Sequence, residues 1–212
     1  MKITDIQTIQ LTYPYTSYIA DGCSPCFGRG ALLVQVETDE GISGLGECAT
    51  FGASMSAMAD VVERQLKRLL LGKNPLDIEY LWETMVWSNF ANGRRGIVMG
   101  AISGIDIALW DILGKAANLP LYRLLGANRD RVRGYASGGF YGPEKSVDDL
   151  KREMEGYVKR GYSAFKMKIG RRLNSTQTPH RYVRKGDFLY SFEQDMERVR
   201  AVRETIGADP LR

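Results

Sequence analysis

Cysteine is scarce in this 212-residue chain, with three residues, and histidine scarcer still, with His180 alone. An odd cysteine count does not make a disulfide framework. The spacing Cys23-x-x-Cys26 invites a zinc reading, yet a structural zinc site takes four ligands, and no second Cys/His pair is present. A redox Cys-x-x-Cys belongs beside a βαβ pattern, whereas this one falls in a loop between strands. Cys23, Cys26 and Cys48 are therefore read as ordinary reduced thiols. No apolar run reads as long enough to span a bilayer, and residues 1–6 lead straight into an alternating pattern without a signal peptide. The expectation is a cytoplasmic protein with no membrane partner. Low-complexity linkers and solenoid-period repeats are missing too. So is a broad basic face: the stretch 171–189 holds Arg171, Arg172, Arg181, Arg184 and Lys185 against Asp187, which accounts for the whole net charge of +4. One basic segment is not a nucleic-acid footprint.

What is present reads first as strands. Residues 2–13 and 31–38 are rich in β-branched and apolar side chains, a turn signal follows at Asp39-Glu40-Gly41, and residues 42–48 return as a hairpin partner. Residues 14–30, rich in Gly, Pro, Ser and Cys, read as a loop, as do 49–54. Gly44-x-Gly46 lacks the third glycine of a dinucleotide fingerprint and opens no helix. Helical spacing then marks 56–71, 76–90 and 97–118. In the last, Ile97, Ala101, Ile105, Ala108, Leu109, Ile112 and Ala116 form a buried stripe. Gly100 and Gly104 inside it are costly for a helix, and close approach of another backbone is their readiest explanation. From residue 131 the rhythm is strand, helix, strand, helix: a strand at 131–137, a helix at 147–160 capped by Ser146 and closed by Gly161, a strand at 161–170, and a helix at 191–206 closed by Gly207. Such alternation implies a parallel sheet with crossover helices.

Lys166 and Lys168 lie in that last strand, where side chains alternate between faces. Both ammonium groups point one way, about 7 Å apart by the strand rise, while Phe165, Met167 and Ile169 point the other. Like charges at that spacing, together with burial, disfavour the charged form, and a neutral lysine can take a proton from carbon. The plainer reading is an edge strand with a solvated lysine face.

The run Ala101-Ile-Ser-Gly-Ile-Asp-Ile-Ala-Leu-Trp-Asp-Ile-Leu-Gly-Lys115, continued by Leu119-Pro-Leu-Tyr-Arg-Leu-Leu-Gly126, resembles the enolase superfamily, and within it the mandelate racemase and muconate lactonizing enzyme group. The Lys-Met-Lys-Ile-Gly strand, the opening residues and the Gly44-Leu-Gly-Glu47 hairpin fit the same group. The resemblance implies an α+β N-terminal capping domain over residues 1–120, followed by the start of a (β/α) TIM-like barrel over 121–212. It implies that the capping loops, here 14–30 and 49–54, help choose the substrate. It gives Lys168 the part of acid/base on the carbon next to a carboxylate, and Lys166 a place beside that carboxylate. It implies Mg²⁺ stabilising the enediolate, since loss of an α-proton leaves a charge that needs a preorganised positive site. A small carboxylate or sugar-acid substrate and a homo-oligomer follow from the same likeness, with sugar-acid dehydration as the preferred outcome and racemisation, epimerisation or cycloisomerisation as alternatives. Asp106, Trp110 and Asp111 are expected to pack rather than react, being far upstream of the barrel strands.

A complete barrel needs about 250 residues, and only those after residue 127 are left for it. The expectation is a chain truncated within the barrel. Its metal ligands would lie beyond residue 212, and the 212 residues alone would be inactive. A non-catalytic fragment or pseudoenzyme serving as a binding or assembly module is the other class. The segment 171–189 is longer than the connection expected there. Arg171, Arg172 or Arg184 could hold an anionic substrate, against the plainer reading of a solvated loop or subunit contact.

Overall fold

Alternating buried residues at 32–38 and 44–48 give the chain its first layer. In the computed structural model, which describes residues 1–22, 25–50, 53–171 and 190–207, β1 spans Ile3–Ala20, β2 spans Pro25–Thr38 and β3 spans Ser43–Cys48, in the order β1-β2-β3. Strands β2 and β3 are antiparallel, with Leu32 opposite Cys48, Val34 opposite Gly46 and Val36 opposite Gly44. All six are buried on one face. The segment expected to be a loop at 14–30 is therefore largely strand on both sides. Its glycine, serine and proline content conceals an extended ribbon whose residues pair or pack locally.

The chain divides into two compact units: Met1–Tyr13 with Gly30–Asp130, and Pro14–Arg29 with Arg131–Arg212. In the first, helical segments α1 (Met55–Asp60), a π-helical stretch (Val61–Leu66) and α2 (Lys67–Leu70) run on continuously, followed by α3 (Ile78–Ser88), α4 (Ile97–Ala116) and the short α5 (Leu121–Leu124). The π-helical stretch, where the Lys67 amide bonds back to the Val62 carbonyl, has no mark in the apolar spacing. Met58, Val62, Leu66 and Leu70 stay buried through it. The core gathers these with Ile3, Ile6, Leu32, Val34, Leu81, Met85, Ile105 and Leu109. Contrary to the expectation that no run could span a bilayer, α4 is long and apolar enough by length and composition to cross one. Gly100 through Ile112 instead supply eight buried residues to this core, as a central helix of a packed unit does.

The second unit is a strand–helix–strand arrangement. β4 (Ala136–Ser137) and β5 (Phe165–Lys166) are parallel, with Ala136 opposite Phe165 and Ser137 opposite Lys166. α6 (Val147–Lys159) connects them and α7 (Phe192–Ile206) follows. Regular strand is shorter than the expected 131–137 and 161–170. Backbone bonds from Ala136 to Ala164, Gly138 to Lys166 and Lys168 to Gly139 nonetheless carry the pairing across 164–168. Both helices open on capping boxes, Ser146 with Asp149 and Ser191 with Gln194. Leu150, Met154 and Val202 form the core, with Tyr157, Phe165, Met167 and Ile206 against it.

Candidate active site

Phe165 and Met167 pack into the α6–α7 core, so alternation sends Lys166 and Lys168 to the opposite face of the strand. Ile169, expected on the core face, is 58% exposed instead, because the ladder ends at Lys168 and the chain turns at Gly170, where φ is +87°. Each ammonium lies against an aromatic ring flanking the adjoining strand, Tyr135 just before it and Phe140 just after. Lys166 Nζ is 5.3 Å from the Tyr135 ring centroid and 3.5 Å from its hydroxyl, the outer limit of a hydrogen bond. Lys168 Nζ is 4.9 Å from the Phe140 ring centroid. The expected burial of both groups is met only in part: Lys168 is half-buried and Lys166 exposed.

Behind this strand lies a polar network that sequence reasoning missed. Tyr141, Arg171, Asp195 and Arg198 are all buried. The Tyr141 hydroxyl donates to Asp195 Oδ1 at 2.5 Å, and Gly170 N–H donates to Asp195 Oδ2 at 2.8 Å. Arg198 donates to the Gly139 carbonyl at 2.8 Å, its guanidinium 4.3 Å from the Tyr141 ring centroid. Burial, and then the bond to Asp195, push the Tyr141 phenol up from its ordinary value. A signal existed in the sequence. The stripe of Val202 and Ile206, stepped back in helical phase, lands on Arg198 and Asp195. Arg171, expected in a solvated loop, is corrected by the structure: it is 2% exposed and donates through Nη1 to the Asp21 carbonyl at 3.3 Å. Arg172, Arg181, Arg184, Lys185 and His180 lie outside the described residues.

The residues of the α4 motif act as packing groups. Asp111 Oδ2 accepts from Leu45 N–H at 2.9 Å and from Lys115 Nζ at 2.7 Å, and Lys115 also donates to the Ser43 carbonyl at 2.7 Å, which ties the helix to the hairpin. Burial, then the charge of Glu79, push the half-buried Asp106 carboxyl up. A shallow cavity of about 720 Å³ runs beside Leu45, Ile107, Trp110 and Leu119. It holds neither lysine. Cys26 and Cys48 are free thiols. Burial pushes Cys48 up to about 11, which makes it an inert core thiol. Cys23 lies outside the described residues. Among the described residues no group of three or more His, Cys, Asp or Glu side chains could hold a metal ion. The donors described here therefore do not make a magnesium site.

The chain is similar to known proteins. Residues 29–126 match the family mandelate racemase / muconate lactonizing enzyme, N-terminal domain. The chain is 40% identical over 178 residues to arabinonate dehydratase of Saccharolobus solfataricus, covering 84% of this chain and 43% of the relative. It is 33% identical over 211 residues to D-galactarolactone cycloisomerase of Agrobacterium fabrum, covering 99% and 50%. Among solved structures, a racemase from Streptomyces coelicolor A3(2) with bound magnesium superposes with a TM-score of 0.80 at 31% identity, over 97% of this chain and 52% of that one. The chain spans about half the length of these proteins.

Proposed function

Because the chain belongs to the mandelate racemase and muconate lactonizing enzyme group of the enolase superfamily, we propose that the full-length protein removes the proton α to the carboxylate of a small acid sugar. The observation that carries this reading is the lysine pair on one face of a parallel strand, with Phe165 and Met167 anchored in the core behind it. Lys168, in its neutral form, takes the α-proton onto Nζ. The C–H electron pair moves into the carboxylate, giving an enediolate, and the Lys166 cation lies beside that charge. In a dehydration the β-hydroxyl then leaves as water, taking one proton from an acid, and the enol tautomerises to a 2-keto acid. Dehydration is the preferred outcome because arabinonate dehydratase is among the most similar relatives. Cycloisomerisation is the second reading, favoured by the match to D-galactarolactone cycloisomerase over nearly the whole chain.

In this reading residues 1–120 are the capping domain and 121–212 the start of a (β/α) barrel. Mg²⁺, when bound, would neutralise the developing enediolate charge, and none of the residues described here is assigned to hold it. The same reading has the enzyme act in the cytoplasm as a homo-oligomer and leaves the 212 residues inactive alone. The test is isotope exchange. With Mg²⁺ in D₂O, the full-length protein is expected to place deuterium on the α-carbon of its acid-sugar substrate. Lys168→Ala is expected to slow this by about 10²–10⁴-fold. Undiminished exchange in that variant refutes the base. No exchange in the parent protein, across a panel of acid sugars, would leave a binding or assembly module.

A further inference from the structure

Helix α7 carries two charged side chains into the interior of the second unit. Asp195 is 3% and Arg198 1% exposed. Burying such groups is costly unless their hydrogen bonds are made, and apolar residues in the same stripe would fill the space as well. Their partners include the main chain just beyond Lys168 and the strand paired with it. Asp195 Oδ2 accepts the Gly170 amide, two residues beyond the lysine, at 2.8 Å. Arg198 Nη2 donates at 2.8 Å to the Gly139 carbonyl, the same oxygen that accepts the Lys168 amide at 3.3 Å. Asp195 Oδ1 fixes the Tyr141 hydroxyl. Tyr141 in turn exchanges both backbone bonds with Ala20, at 2.8 and 2.9 Å, and Arg171 N–H reaches the same hydroxyl at 3.4 Å. The strand end that bears Lys168 is thus held by two side chains that never touch its ammonium.

We infer that Asp195 and Arg198 are positioning residues for Lys168. They hold the backbone two residues beyond it and the neighbouring-strand carbonyl that accepts its amide, so that Nζ leaves the strand end in one orientation. This rests on Lys168 being the base proposed above. A proton transfer demands placement within a fraction of an ångström, and Lys168 sits at the last bond of its ladder, just before the turn at Gly170. A purely fold-stabilising pair would alter stability while leaving the chemical step of the folded fraction untouched.

The test uses the full-length protein with two readouts, amide hydrogen exchange of the peptide covering residues 167–171 and steady-state turnover of an acid sugar. Asp195→Ala and Arg198→Ala are expected to speed exchange in that peptide at least tenfold relative to peptides of α6. They are expected to lower kcat at least tenfold with KM unchanged, and Asp195→Asn, which keeps an oxygen for the Gly170 amide, is expected to restore most of kcat. Unaltered exchange at 167–171, or faster exchange with wild-type kcat, overturns the inference. If an alanine variant does not fold, Arg198→Lys carries the test with the same readouts, faster exchange at 167–171 and at least a threefold fall in kcat at constant KM. Wild-type values of both then overturn it. Failure of the base assignment shows separately, as full turnover by Lys168→Ala, while the hydrogen-exchange result stands independently of any chemistry.

Discussion

A methyl group on Gly46 would land on the carbonyl oxygen of Gly104, and one on Gly44 would land on that of Ala108. On the opposite side, a side chain at Gly104 would strike the Cys48 sulfur and the Val34 methyl. Strand β3 and helix α4 meet backbone to backbone, and the three glycines are what that contact requires. This explains residue by residue why Gly44-x-Gly46 has nothing to do with phosphate binding, and why Gly104 is kept in a helix interior where it weakens the helix. Gly46→Ala is expected to lower stability by about 1–3 kcal/mol through overpacking, seen as a lower urea midpoint at unchanged slope. Gly156 in α6 has open space around its α-carbon, so Gly156→Ala is expected to raise stability by about 0.5–1 kcal/mol from helix propensity alone. A Gly46→Ala midpoint at or above that of the parent would sink the close-approach explanation.

At the scale of the element, the α6 capping box is a measurable unit. Asp149 Oδ2 accepts from Ser146 N–H at 2.9 Å and from the Ser146 hydroxyl at 2.6 Å, while Asp149 N–H returns a bond to Ser146 Oγ at 3.1 Å. The Ser146 bonds, with Arg152 behind them, hold the Asp149 carboxyl down at about 2. A depressed carboxylate contributes stability that is present above its ordinary value of 3.8 and is lost as pH falls toward 2. Carboxyl ¹³C titration is expected to give a midpoint near that value, and Ser146→Ala is expected to return it toward 3.8. An ordinary midpoint in the parent protein would mean the box is not formed. This helix, like α4 and α7, was legible in the sequence to within a residue or two, because caps, stripe and terminal glycine agree. The ribbon on either side of residues 23–24 was not, since turn-forming composition outweighed an alternation that is weak when both faces are partly exposed. The core face of Phe165 and Met167 was legible from period 2. The Asp195–Arg198 clamp was not, because charged residues in a helical stripe read as the edge of the solvated face until something is packed against them.

For the whole molecule the decisive physical fact is what a two-stranded parallel sheet demands. Parallel strands are stable only with both faces covered, and a pair of strands with an exposed lysine face supplies one covered face. In the same unit Val132 is 89% exposed and Ile169 58%. The relatives are about twice as long. The acidic side chains described here do not cluster into a cation site, and the proposed function assigns the ion's ligands to none of them. An ion that binds only the native state stabilises it by mass action. Millimolar Mg²⁺ is expected to raise the melting temperature of the full-length protein in a saturable way, and to leave that of the 212-residue chain where it was at constant ionic strength. Thermal melts with and without Mg²⁺, balanced by a monovalent salt, measure this directly. A saturable shift in the shorter chain would show that its own side chains hold the ion and would overturn the assignment of the ligands elsewhere.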